Sequence, residues 1–209
     1  IDLEQAIGFF NVYDLLDRDV AGSPLPPGLS VTRDPVDGLV LNIVEGYSNL
    51  GGVETSGVDL NARFSFEIGP GRLNSNLQLS HVFEYKVRVD DTHEPRNQIG
   101  DPGRPQSRAT FSNSYEWGDL GFAWNINYIA DTYDEIVDGQ GQGHVPTWVT
   151  HDVQVNYHTA WDGRLTVGAQ NVLSRKPPVG VAESIARTYN FDLFNGYGRI
   201  LYFRYTQVY

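Results

Sequence analysis

The chain has 209 residues, a net charge of −11 and no cysteine. The lack of cysteine excludes disulfides, zinc–thiolate sites and thiol nucleophiles, and the acidic balance argues against the basic, phosphate-contacting face of a nucleic-acid binder. No apolar run approaches the about 20 residues of a membrane-spanning helix, but a membrane-spanning strand needs only about 10 residues with alternate positions apolar.

Residues 1–52 differ in pattern from the rest of the chain. The sequence begins at Ile1 without an initiating Met or a signal peptide, so we expect that processing or truncation removed an upstream segment. Residues 9–16 are compatible with a short helix, Pro24–Pro27 interrupt regular structure, and residues 39–44 are compatible with a hairpin. We interpret residues 1–52 as one long loop.

From residue 53 to residue 209, apolar and polar residues alternate with a period of two, which is typical of β-strands with two different faces. The clearest case is residues 120–128, where apolar and aromatic residues at even positions are opposed by small and amide residues such as Asn125 and Asn127. The alternation predicts seven strands, at about 58–68, 73–87, 108–117, 119–130, 148–158, 164–173 and 199–209.

The connections between these strands alternate in length. Short turns are expected at 69–71, 118–119 and 162–163, and long connections rich in Gly, Pro and Asp at about 89–105, 131–146 and 174–198. This order predicts an all-β, antiparallel, up-and-down transmembrane β-barrel fragment of about seven strands, with short periplasmic turns and long extracellular loops. Residues 1–52 then become an extracellular loop, and residues 53–209 the C-terminal strands.

Three stretches resemble the C-terminal part of TonB-dependent receptors. Residues 49–60, NLGGVETSGVDL, resemble a strand of that family that descends into the barrel wall. Residues 164–178, RLTVGAQNVLSRKPP, resemble the penultimate strand, which usually ends in NLFDKxPP, although Ser174 stands where that pattern has an acidic residue. The alternation from Gly198 to a terminal Tyr209 resembles the last strand, where Phe is the commoner final residue.

The resemblance implies a function and a location. It implies an outer-membrane transporter that imports a scarce nutrient (a siderophore, cobalamin or a saccharide) with energy from TonB, which would act on a plug domain. The plug, the TonB box and the N-terminal strands of the family are absent from residues 1–209, so these seven strands are not expected to close a barrel that has about 22. The implied partners are a small nutrient molecule, TonB and outer-membrane lipid, and the expected location is the bacterial outer membrane.

Two alternatives remain open at this point. The same strands can serve a passive outer-membrane pore or an adhesin barrel. A secreted, soluble β-sandwich that binds carbohydrate through loop aromatics would also show the alternation. Lipid exposure of the apolar rows separates the two kinds of fold, because a sandwich buries them.

Polar positions on the predicted strands form one candidate set. By alternation they should face the lumen of the barrel, where they could contact substrate or pack against a plug through hydrogen bonds. This set is Arg63, Gln78, Glu84, Arg108, Asn125, Asn127, Gln154, Asn156 and Gln170.

Aromatic residues in and beside the long connections form the candidate ligand-binding set, because their rings offer stacking surfaces. The set is Tyr133, His144, Trp148, Tyr189, Phe191, Phe194 and Tyr197. Trp148 and Tyr197 also fit an interfacial aromatic girdle.

We predict no metal site, no cofactor and no enzymatic activity. The acidic clusters at 90–91 and 131–138 fit no EF-hand spacing. His151 and His158 are separated by an odd number of residues, which sends them to opposite faces of an extended strand. Neither a Gly-x-Ser-x-Gly nor a His-Glu-x-x-His motif occurs.

The last predicted strand forms a third set. Leu201, Phe203, Tyr205 and Tyr209 share one face at a period of two. By resemblance to outer-membrane barrels, this row is recognised by the machinery that inserts them.

Overall fold

The computed structural model describes residues 2–4, 7–49, 52–88, 94–137, 140–179 and 189–207. The chain divides into two compact units: Ile1–Thr55 with Glu84–Asn97, and Ser56–Phe83 with Gln98–Tyr209.

The elements follow one another in this order: β1 (Asp2–Glu4), β2 (Ile7–Phe10), α1 (Val12–Val20), β3 (Ser30–Arg33), β4 (Val40–Val44), β5 (Gly46–Asn49), β6 (Gly52–Ile68), β7 (Gly71–Arg88), β8 (Arg96–Asn97), β9 (Ser107–Trp117), β10 (Leu120–Ile129), β11 (Thr132–Val137), β12 (Gln140–Val145), β13 (Trp148–His158), β14 (Gly163–Gln170) and β15 (Ile200–Gln207). No helix in the described ranges is long and apolar enough to cross a membrane.

The first unit contains a capped helix and short strand pairs. The side chain of Asn11 accepts hydrogen bonds from the backbone of Tyr13 and Asp14, and the Asp14 carboxylate accepts one from the Asn11 backbone, so α1 begins with a capping box. Leu15, on this helix, is fully buried. The helix therefore starts later than the 9–16 pattern suggests, because Phe9 belongs to β2 and pairs with Tyr47 of β5.

Residues 1–52 thus contain more regular structure than one long loop. Besides α1 and the β2–β5 pair, β3 pairs with β4 close to the expected hairpin at 39–44. β1 pairs with the first residues of β6, with Leu3 opposite Val53.

The second unit contains most of one antiparallel sheet, which the seven long strands form. Its strands follow the order β6, β7, β9, β10, β13, β14 and β15, so each long strand lies beside its sequence neighbour once the β11–β12 hairpin is set aside. The predicted fold class, an antiparallel up-and-down sheet of about seven long strands, is confirmed. All seven lie in a single sheet over the described residues, which does not fit the two packed sheets of a sandwich.

Local backbone conformation explains the short turns. Gly69, Gly118 and Asp162 have φ values of 59°, 56° and 60°, the left-handed region that tight hairpin turns require. These turns lie where the sequence predicts them.

Two differences from the sequence expectation are clear. Residues 131–146 form the β11–β12 hairpin, in which Tyr133 is opposite His144, and not an irregular loop. β14 ends at Gln170, short of residue 173, because Asn171 takes a left-handed backbone conformation with φ 46°.

The register divides the sheet into two faces. We call one the apolar face; it carries Phe122, Trp124, Val153, Val155, Val167 and Phe203. These side chains are exposed in the isolated chain, with Trp124 46% exposed. We call the opposite one the polar face; it carries amides, hydroxyls and arginines. Little of this unit's apolar surface therefore lies in a protein core.

Candidate functional site

A groove with a volume of about 780 Å³ lies in the connection between β14 and β15 and is lined by residues 189 and 191–197. We call it the aromatic groove. Two asparagines shape its backbone. The side chain of Asn190 accepts hydrogen bonds from the backbone of Asp192 and Leu193, and Asn195 accepts one from the backbone of Tyr197. Such turns are the local structures that Asn favours.

The floor of the groove is buried. Phe194 is 4% exposed and Leu193 is 9% exposed, and both pack with Val145 and Trp148. The rings of Trp148 and Phe194 meet edge to face, with centroids 5.5 Å apart. This contact seats the groove on the first residue of β13.

The walls and rim carry the accessible aromatic surface. Tyr189 and Phe191 meet edge to face at 4.5 Å between centroids, and Tyr197 is 82% exposed. Asp192 and Asn195 add oxygen and amide groups to the same lining. The groove can therefore stack a flat or partly apolar molecule and hydrogen-bond its polar substituents.

The structure brings together four of the seven predicted loop aromatics. Tyr189, Phe191, Phe194 and Tyr197 line the groove. Trp148, which is 7% exposed, packs beneath it, and no described residue forms a hydrogen bond with its buried indole nitrogen. Tyr133 and His144 lie on the β11–β12 hairpin, where His144 Nε2 is 3.2 Å from Asp131 Oδ2, and are not part of the groove lining. Contact with a ligand stays a prediction for all seven.

Sequence reasoning missed the polar part of the lining. Asp192 and Asn195 lie among the aromatic residues of this stretch, and Asn190 precedes them as a turn former. The spacing of asparagines in an aromatic-rich connection was the available signal, because Asn marks turns that fix neighbouring side chains.

Most of the predicted lumen set shares the polar face of the sheet. The register places Gln78 opposite Thr110, Thr110 opposite Asn127, and Asn156 opposite Thr166. Residues an even number of positions away on the same strands point to the same face; these are Arg108, Asn125, Gln154 and Gln170. Arg63 points to the same face as Ser65, two residues further along β6, and the Ser65 hydroxyl donates to the side chain of Asn74 at 2.8 Å. Glu84 lies in the other unit, where its carboxylate is 2.9 Å from the ammonium of Lys86. Whether the polar face lines a lumen stays a prediction.

Hydrogen bonds link neighbouring side chains across the polar face. Thr166 donates to the side chain of Asn156 at 2.8 Å, Gln154 donates to the same amide oxygen at 3.0 Å, and the Tyr202 hydroxyl donates to Gln154 at 2.9 Å. The face is a connected polar surface.

The last strand lies at one end of the described sheet. Leu201, Phe203 and Tyr205 are opposite Ala169, Val167 and Leu165, on the apolar face. Tyr209 lies outside the described residues. The indole nitrogen of Trp161 donates to the Tyr205 hydroxyl at 3.0 Å, so the polar group of this apolar row has a hydrogen-bond partner.

The described residues contain no cluster of three or more His, Asp or Glu side chains arranged to hold a metal. Asp90, Asp91 and Asp138 lie outside the described ranges. On β13, His151 is opposite Ile126 and His158 is opposite Arg164, so their side chains leave from opposite faces.

A comparison with known proteins agrees with this architecture. No curated protein matches the chain. A family model described as TonB dependent receptor-like, beta-barrel, matches residues 11–172, which include the helix and all but the last of the long strands. The chain therefore belongs to the TonB-dependent receptor β-barrel family.

Proposed function

We propose that the chain forms part of an outer-membrane active transporter that binds a scarce nutrient and imports it with energy from TonB. The family is one of outer-membrane receptors and transporters. The observation that carries the proposal is the division of one sheet into an exposed apolar face and a connected polar face, with the aromatic groove on a long connection.

The apolar face is suited to lipid. An exposed apolar row of this extent is unusual for a soluble monomer. Its few polar side chains pair with one another: Ser75 donates to Asn113 at 2.8 Å, and the indole nitrogen of Trp124 is 3.2 Å from His151 Nδ1. Pairing lowers the cost of placing polar groups in hydrocarbon.

The aromatic groove is suited to ligand capture. It belongs to a long connection, and long connections lie on the extracellular side in the proposed topology. Its lining joins aromatic faces to Asp192 and Asn195, a combination that serves saccharides as well as the aromatic or planar parts of siderophores and cobalamin. In this proposal residues 1–52 are extracellular, the polar face lines the lumen, and the plug acted on by TonB belongs to the complete receptor.

The first experiment identifies the nutrient and tests energy coupling. A strain lacking the receptor is grown on a panel of iron chelates, cobalamin and saccharides, and the nutrient that fails to support growth is then followed by isotope uptake. Uptake through the restored receptor should disappear when TonB is deleted. Full uptake without TonB would favour a passive pore, and normal growth on every candidate would favour an adhesin.

The second experiment tests the groove with the nutrient so identified. Tyr197→Ala removes the most exposed ring of the groove and should weaken ligand binding by about tenfold, which corresponds to about 1.4 kcal/mol. Tyr13→Ala is the matched control, because Tyr13 is similarly exposed, at 78%, and lies on α1. Equal binding by the two variants at equal surface levels would contradict a role for the groove.

A further inference from the structure

Asn171 ends β14 with an unusual set of bonds. Its backbone has φ 46°, and its side chain is buried, with the residue 8% exposed. The side-chain oxygen accepts from the Arg175 backbone N–H at 2.9 Å, and the side-chain nitrogen donates to the Arg175 backbone oxygen at 2.8 Å. The amide therefore satisfies both backbone groups of one residue and closes a fixed turn at 171–175.

Asp152 fixes this turn to the sheet. One carboxylate oxygen accepts from the Asn171 backbone N–H at 2.7 Å, and the other accepts from the side-chain nitrogen of Asn127 at 3.1 Å. Both partners are donors, so an acceptor-only group suits the position. Hydrogen bonds to a charged acceptor are stronger than neutral ones.

The same turn lies at the base of the segment that carries the aromatic groove. The Arg175 guanidinium donates to the backbone oxygen of Thr147 at 3.2 Å, beside Trp148. At the other end of the segment, the Arg199 guanidinium donates to the backbone oxygen of Val172 at 3.3 Å. Both ends are thus tied to one turn, and Phe194 between them rests on Trp148.

We propose that Asp152 and Asn171 are positioning residues for the aromatic groove: they hold the turn at 171–175, at the start of the connection between β14 and β15, so that Leu193 and Phe194 stay packed against Trp148. They act through the turn at 171–175 and need not touch a ligand. This inference rests on the proposed role of the groove in ligand capture, but the seating itself can be measured without any ligand.

The experiment measures access to Leu193 in the complete receptor held in outer-membrane vesicles. Residues 1–209 contain no cysteine, so Leu193→Cys supplies a reporter thiol in this region, and its rate of reaction with a water-soluble maleimide reports on unseating of the groove. In a separate set of variants, Thr166→Cys places the thiol at a buried position on the polar face of β14, where its labelling rate reports on opening of the sheet.

Adding Asn171→Ala or Asp152→Ala should raise the labelling rate at position 193 by about tenfold or more. Asn171→Ala removes the two side-chain hydrogen bonds to Arg175, and Asp152→Ala removes the carboxylate that joins the turn to β10. The rate at position 166 should not change. Asn61→Ala, on the distant strand β6, is the control and should leave both rates unchanged. An equal increase in the labelling rates at positions 166 and 193 would mean that the substitutions unfold the sheet as a whole, and the proposal would be overturned.

Two further variants separate the side-chain amide from the backbone conformation. Asn171→Gly keeps the left-handed backbone without strain but lacks the amide, so it should label as fast as Asn171→Ala. Asn171→Asp retains the acceptor for the Arg175 N–H and should label at an intermediate rate. Wild-type labelling of the Gly variant would show that Asn171 serves only the backbone, which would also overturn the proposal.

Discussion

Arginine in place of Trp124 tests the assignment of the apolar face to lipid. Trp124 lies on β10, four residues from Leu120 and five from Ile129. A tilted strand advances about 2.5 Å along the membrane normal per residue, from a rise of about 3.3 Å and a tilt of about 40°. Trp124 is therefore about 10 Å from one end of the strand and about 13 Å from the other. An apolar band is about 25 Å tall, so this position is near the bilayer midplane.

The expected cost follows from that depth. Arginine on the lipid face at the midplane lowers the free energy of unfolding by about 2–4 kcal/mol. The substitution also removes the hydrogen bond between the Trp124 indole and His151, worth about 1 kcal/mol, which favours the upper part of the range. Asn125→Arg is the matched control, because Asn125 is the next residue and lies on the polar face. Its expected cost is below about 1 kcal/mol, since substitutions facing water rarely cost more.

The assay is guanidinium titration of the protein refolded into phospholipid vesicles, with both variants compared with the wild type under one condition. The informative quantity is the difference between the two variants, because errors of extrapolation are shared. Equal losses for Trp124→Arg and Asn125→Arg, or no loss for the first, would refute the assignment of even positions on β10 to lipid.

Three further predictions concern topology, assembly and packing. An epitope inserted between Val137 and Gln140 of the β11–β12 hairpin should be detected on intact cells. The same epitope in the 69–71 turn should be detected only after permeabilisation, and the reverse pattern would invert the proposed topology. Deleting residues 203–209 should abolish outer-membrane accumulation, while shortening the β11–β12 hairpin should not, and equal amounts of both in membrane fractions would contradict a role for the last strand in assembly. A Cβ on Gly168 would lie 2.4 Å from the Tyr202 ring, so Gly168→Ala should displace this ring and destabilise the barrel by about 1–3 kcal/mol, seen as a lower temperature for heat modification; an unchanged temperature would show that Tyr202 moves freely.

The sequence by itself determined the long strands and the turns between them. Alternation along a strand such as Leu120–Ile129 is a local property of the sequence. Because side chains point to alternate faces, the pattern also shows which residues share a face, and a one-residue shift of strand register would exchange the two faces. Gly69 and Gly118 marked tight turns because they adopt positive φ without steric cost. The two-faced meander could therefore be recognised before any tertiary contact was known.

Only the tertiary structure decided which loop residues come together. Trp148 and Phe194 are far apart in sequence, and nothing in their local pattern indicates that their rings meet or that both are buried. Tyr133 and His144, which have the same aromatic character, belong instead to a hairpin of their own. Loop conformation depends on long-range hydrogen bonds, here from the Asn171 backbone N–H to the Asp152 carboxylate and from the Arg175 guanidinium to the Thr147 backbone oxygen. Such bonds follow no sequence period. The groove could therefore not be predicted from the sequence, because it depends on the sheet bringing the ends of distant strands side by side.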